Sequence, residues 1–294
     1  QMRSPFQADA GLTMREQELI RAFQRRCPDF FQETEDFYTR YQEYAEEILL
    51  RFSSEIRYYL AFYRFQQKME EKGYAFAAPS LDETQEISAE GLYDLALACT
   101  RGTTPDQIIS NDFSFGKDER FFVLTGPNQG GKTTFARSLG QLVYFTKMGL
   151  NVPAFRANLH RFSRILTHFS VEESADTGRG RLKEELTRLA PMMEAKPHEE
   201  NPCFVVINEL FTTAANYDAC IMGRRVLNHF IAQGCRGIYV THLEELSQAH
   251  PQVVSLRALA DEQGRRTFRI LRSAEEGYAG ADKLAEKHRL TYRQ

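Results

Sequence analysis

Gly126-Pro127-Asn128-Gln129-Gly130-Gly131-Lys132-Thr133 has the spacing G-x-x-x-x-G-K-[ST], directly after the apolar run Phe121-Phe122-Val123-Leu124 and before a helical stretch. Glycines at these places let backbone amides curl round an anion, and the start of a helix adds positive potential, so the pattern is that of a phosphate cradle. Lys132 is placed to reach terminal phosphates and the Thr133 hydroxyl to ligate magnesium. The candidate nucleotide-binding residues are therefore Gly126, Pro127, Asn128, Gln129, Gly130, Gly131, Lys132, Thr133 and Thr134. A second apolar run, Cys203-Phe204-Val205-Val206-Ile207, ends in Asn208-Glu209. Asn208 sits where such sites usually carry Asp, and Glu209 is placed to orient and deprotonate the water that attacks a terminal phosphate. A third run, Gly237-Ile238-Tyr239-Val240, leads into Thr241-His242 and brings an imidazole to the same edge, where it can sense that phosphate. The catalytic candidates are Glu209, His242 and Lys132, and the metal candidates Thr133, Asn208 and Glu209, with Mg2+ as the implied cation.

Positioning these groups requires strands that end together. The three runs and Arg164-Ile165-Leu166-Thr167 alternate with helical stretches near 132–148, 181–195, 217–232 and 243–249. That alternation predicts an α/β fold with a mainly parallel central sheet covered by helices. The first 75 or so residues read differently. Thr13-Met14-Arg15-Glu16 has capping-box spacing, and Pro28 closes the short helix that follows. From Asp29 to Lys72 there is no Gly or Pro, and Phe30, Phe37, Tyr41, Tyr44, Ile48, Phe52, Ile56, Tyr59 and Tyr63 recur at three- and four-residue steps until Gly73. Unbroken, this helix is about 65 Å long. It is either a rod or two helices parting near Ser53-Ser54, with the aromatic stripe as a packing seam. Residues 74–110, with Pro79, Gly91, Gly102 and Pro105, read as a connecting region.

Composition bounds the rest. The 294 residues suffice for one large or two ordinary domains, and no apolar run approaches the roughly 18 residues a membrane-crossing helix needs. Thirty-seven basic against forty acidic side chains give a net charge of -3, without the global basic excess of nonspecific nucleic-acid binders. Cys27, Cys99, Cys203, Cys220 and Cys235 are odd in number and scattered, which suggests neither a disulfide framework nor a zinc site and fits a reducing cytoplasm. Gln1 precedes Met2, so the natural ends of the chain are expected to lie elsewhere.

The motif residues resemble the ATPase domain of the MutS DNA mismatch-repair family, within the wider ABC class. The resemblance runs from Asn111-Asp112 through Thr125–Thr134, Val152-Pro153-Ala154, Asn216-Tyr217-Asp218 and Thr241-His242-Leu243-Glu244-Glu245-Leu246. It implies a P-loop ABC-type ATPase domain over residues 89–294, preceded by a helical lever or core segment over residues 1–88. It also implies slow Mg-dependent ATP hydrolysis that drives pairing of two such domains and a change of pose on DNA, so a homodimer is expected. Asn111 and the position of Ile108 are implied at the nucleotide. Gly178-Arg179-Gly180-Arg181 stands where many members have Gly-Arg-Ser-Thr, so Arg179 or Arg181, with Asp218, is implied at the partner's phosphate. Parts that read DNA are largely absent from this chain. Two alternatives stay open: a nucleotide-gated scaffold with negligible turnover, suggested by Asn208 and Gly180, and an ABC-type ATPase outside repair. The latter is disfavoured because no Leu-Ser-Gly-Gly-Gln precedes the run at 203–207.

Overall fold

The computed structural model describes residues 13–41, 47–81, 86–169, 178–197, 201–261, 263 and 265–273, apart from the side chains of Glu47, Arg179 and Arg181. The chain divides into two compact units, residues 1–65 and 66–294.

The first unit is helical. Thr13 caps α1 (Met14–Arg26): its N–H and hydroxyl both donate to the Glu16 carboxylate, at 2.7 and 2.8 Å. Pro28 does not merely end α1 but opens α2 (Pro28–Tyr41), a position where its missing N–H is not needed. Of the two alternatives for this stretch, a parting at Ser53-Ser54 does not occur, because both serines lie within α3 (Glu47–Glu70). Ser54 Oγ donates to the Arg51 carbonyl at 2.7 Å and Arg51 pairs with Glu55 at 2.9 Å, so polar side chains are satisfied along the helix. The interval between α2 and α3 falls on residues 42–46, outside the described residues. No residue of α1 or α2 is buried, and Phe23, Phe30, Phe37 and Phe52 are each more than half exposed. Within this unit the described residues of the aromatic stripe are exposed rather than closed in a seam.

The second unit begins with the last turn of α3, where Met69 is buried, and Gly73 at φ 93° stops the helix. It holds a six-stranded sheet and a four-stranded one. In chain order the elements are β1 (Ser80–Leu81), β2 (Ile87–Leu92), α4 (Leu95–Ala98), β3 (Asn111–Phe115), β4 (Phe121–Thr125), α5 (Lys132–Lys147), β5 (Arg156–Leu159), β6 (Arg164–Phe169), α6 (Gly178–Glu194), β7 (Cys203–Asn208), α7 (Asn216–Ala232), β8 (Arg236–Val240), β9 (Val253–Ala260) and β10 (Arg266–Arg272). The stretch expected as a connector instead supplies β1 and β2, which join β5 and β3 in the order β1-β5-β2-β3. A boundary drawn between residues 88 and 89 would cut β2, whose neighbours β3 and β5 both lie in the second unit. These strands are short and half-polar, so no apolar run announces them.

The six-stranded sheet has the order β10-β9-β4-β8-β7-β6, parallel except for the β10–β9 pair. Every residue of β4, β7 and β8 is buried, as expected where both faces are covered. Phe122, Leu124, Phe204, Val206, Ile238 and Val240 pack on one face with the buried side of α5. Phe121, Val123, Val205, Ile207 and Tyr239 pack on the other with α7 and the end of α6. Among the described residues no helix is long and apolar enough to cross a membrane. Among them, too, all five cysteines are free and no cluster of three or more His, Cys, Asp or Glu side chains could hold a metal.

Candidate functional site

Parallel register brings three strand ends level. Leu124 of β4 pairs with Val240 of β8, which pairs with Asn208 of β7, so the chain leaves the sheet at Gly126, Glu209 and Thr241 along one carboxyl edge. Backbone bonds extend the row, with Glu209 N–H donating to the Val240 carbonyl at 2.9 Å and Thr241 N–H to the Leu124 carbonyl at 3.1 Å.

Between β4 and α5 the loop needs its glycines. Gly126 has φ 125°, and a Cβ there would lie 2.9 Å from the Ala258 carbonyl oxygen. Gly131, at φ 90°, is the N-cap of α5, so the first amides of the helix, beyond reach of any helical carbonyl, open onto the loop. Lys132 is buried, and its Nζ donates to the carbonyls of Gly126 at 2.8 Å and Pro127 at 3.0 Å. Burial holds this ammonium below the ordinary lysine range, with the Glu209 charge acting against that shift. The loop thus brings a cation and the first amide donors of α5 together. Pro127, Asn128, Gln129 and Thr133 are exposed, so the loop is open to solvent. Two apolar recesses of about 350 Å3 lie elsewhere, one on α1 and α2 and one between α5 and β6.

Thr133 Oγ1 donates to Asn208 Oδ1 at 2.9 Å, joining the loop to the end of β7. These two oxygens form a hard-donor pair that suits magnesium. Glu209 follows with φ 52°, a left-handed conformation in a residue with a side chain. His242 is exposed two residues beyond β8, at the same edge.

The remaining candidates are dispersed. Gly178-Arg179-Gly180-Arg181 opens α6, and the two arginine side chains lie outside the described residues. Asp218 is exposed in the first turn of α7. Ile108 follows a short 3-10 turn at Pro105–Gln107 and is half-buried. Asn111 uses both ends of its amide on β10: Nδ2 donates to the Phe268 carbonyl at 3.1 Å, and Oδ1 accepts from Ile270 N–H at 2.8 Å. Those bonds fix a bulge in β10 that the sequence reading missed. Phe268 sits there at φ 56°, 44% exposed, with its ring 3.4 Å from where a Cβ on Gly131 would be. An aromatic ring in a polar, arginine-rich stretch was the available signal; the pairing with Asn111 spans 157 positions and has no local trace.

Residues 122–283 match the family described as MutS domain V. The DNA mismatch repair protein MutS of Thermotoga maritima is 29% identical over 160 residues, covering 53% of this chain and 20% of that protein. The DNA mismatch repair protein MutS of Thermotoga neapolitana is 26% identical over 216 residues, covering 71% of this chain and 26% of that protein. The chain thus spans about a fifth to a quarter of the length of these curated relatives. The family match takes in more than half of the chain and contains the glycine loop, Asn208-Glu209 and Thr241-His242, and on that ground the chain belongs to the MutS family.

Proposed function

We propose that this chain binds Mg-ATP at the carboxyl edge of its six-stranded sheet, hydrolyses it slowly, and uses the nucleotide state to switch subunit pairing in a MutS-type DNA mismatch-repair protein. The observation that carries the reading is the Thr133–Asn208 hydrogen bond of 2.9 Å, which joins the lysine-bearing loop to the strand that ends in Glu209. Amides of Gly126–Thr134 and Lys132 hold the phosphates, and Thr133 with Asn208 holds the magnesium, which supplies neutralisation of phosphate charge when bound. Glu209 orients the attacking water and takes its proton, and His242 senses the terminal phosphate. Phe268, beside Gly131, offers its ring to the base, a role the resemblance placed near Ile108, and Asn111 holds that ring in place. A second copy of the chain completes the site through Arg179 or Arg181 and Asp218. The helices of residues 1–65 serve as the lever segment, DNA contact belongs mainly to parts outside this chain, and the setting is the cytoplasm.

A second reading, a nucleotide-gated scaffold, is favoured by Asn208, which keeps an acceptor oxygen but lacks the charge an Asp would add at the cation. Phosphate release separates the two. Turnover in the wild-type chain that falls by about a hundredfold or more in Glu209→Gln supports the ATPase. Nucleotide binding with no measurable release from the wild type supports the scaffold.

A further inference from the structure

The segment that carries Glu209 is bent twice against side-chain preference, with φ 52° at Glu209 and φ 64° at Phe211. Residues with a Cβ enter this region only when their surroundings impose it. Three anchors impose it here. Glu209 N–H is held by the Val240 carbonyl at 2.9 Å, Leu210 and Phe211 are buried beneath α6 and α7, and Phe211 N–H donates to Glu185 Oε2 at 3.0 Å. The first two anchors belong to the sheet and its core. The third comes from a side chain in the middle of α6, and it satisfies an amide that the left-handed turn withdraws from any strand or helix.

Glu185 is suited to the task. It is half-buried, and burial pushes its carboxyl up, against the Phe211 amide and the Arg188 guanidinium that pull it down. Three residues further along α6, Arg188 Nη2 donates to the Phe169 carbonyl at 3.1 Å, where β6 ends beside Asn208. One helix therefore grips the chain on both sides of the β7 terminus.

We propose that Glu185 is a positioning residue for Glu209: its carboxylate oxygen fixes the Phe211 amide, and with it the left-handed turn that sets Glu209 at the end of β7. This rests on the reading of Glu209 as the water-activating base. It also makes the placement of α6 and of that base a single mechanical unit.

The test compares Glu185→Ala, which removes the acceptor, with Glu185→Gln, which keeps an acceptor oxygen without the charge. Glu185→Leu serves in place of Ala if the smaller side chain leaves the protein unfolded. In the full chain without nucleotide, hydrogen exchange at the Phe211 amide is expected to speed up by about tenfold or more in the Ala variant and to stay near wild type in the Gln variant. With Mg-ATP, kcat is expected to fall about tenfold in the Ala variant at a KM within about twofold of wild type, and the Gln variant to recover most of it. Unchanged Phe211 exchange in the Ala variant overturns the inference, as does a Gln variant as impaired as Ala, or an Ala variant with altered exchange and unaltered kcat. A wild-type chain that releases no phosphate overturns the ATPase reading instead, and the exchange experiment still decides whether Glu185 holds the turn.

Discussion

In α1 and α2 no residue is buried, and Phe30 and Phe37 are 63% and 64% exposed, whereas β4, β7 and β8 have no residue that is not buried. Both regions carry Phe and Ile at regular spacing, so apolar content alone does not make a core. A helix offers one stripe and leaves it open until something covers it, while a strand flanked by parallel neighbours is closed in on both faces. The residues proposed to do chemistry sit on the closed region, where rigid strand ends hold them level.

The largest expected effect that would sharpen this contrast is in the core. Phe204→Ala, at a fully buried site where Phe162 packs edge-on at 5.2 Å, should lower the unfolding free energy by about 3–5 kcal/mol in urea melts of the second unit's transition. A loss below about 1 kcal/mol would mean the sheet is far looser than its burial implies. Next comes Lys132→Ala, which removes a charged donor from the loop and should weaken ATP binding by about a hundredfold, near 3 kcal/mol, in a titration with labelled nucleotide. The same exchange should leave thermal stability unchanged or raised, because burying that ammonium is unfavourable.

Asn208→Asp should act in the opposite sense, at a smaller scale. At an effective dielectric near 20, a unit charge at about 4 Å is worth at most about 4 kcal/mol against another, a ceiling that water and phosphates reduce to about 1 kcal/mol. The half-maximal magnesium concentration for hydrolysis is expected to fall several-fold, about fivefold, in the Asp variant, with Glu209 essential in both proteins. Equal values for the two proteins would show that the missing charge is compensated elsewhere.

Glu119 tests an edge of the same region. Its carboxylate takes a two-pronged bond from Arg272 of β10, at 2.7 and 2.8 Å, and a further one from Gly116 N–H at 2.6 Å. The Arg272 bond, with that from Gly116, holds the carboxyl below its ordinary range against the opposing effect of burial. A carboxyl with a lowered folded-state pKa stabilises the fold above the unfolded value and loses that contribution as pH falls through the folded one. Glu119→Gln is therefore expected to cost about 1 kcal/mol near neutrality, screened by salt, and the gap from wild type should close in acid. A gap independent of pH would assign the effect to packing instead. The smallest effect belongs to the open helices: Phe37→Ala should change stability by under about 0.5 kcal/mol. A cost comparable with Phe204→Ala would break the comparison outright and show that the aromatic stripe is covered in solution.

The fully buried strands were legible because they are short, apolar and flanked by helical stretches, and the glycine loop because its spacing follows from what a backbone must do around an anion. Strands such as β2, with exposed Glu90 among buried neighbours, and β10, with five of seven residues exposed, give no comparable run. The serines of α3 left a break open to the sequence, since a hydroxyl that favours turns can equally be satisfied within its own helix, as Ser54 is by the Arg51 carbonyl.

By itself the sequence determined the buried strands β4, β7 and β8 with the helices between them, and the loop with Lys132 and Thr133 and the Asn208-Glu209 pair at a strand end, because each depends on neighbours within a few residues. Strand order and register decided the rest. They set Leu124, Val240 and Asn208 in one row, gave Asn111 to a β10 bulge more than 150 positions away, and put Glu185 of α6 on the Phe211 amide. Such pairings are fixed by how buried faces fit together in three dimensions, and that fit leaves no periodic mark on the residues that make it.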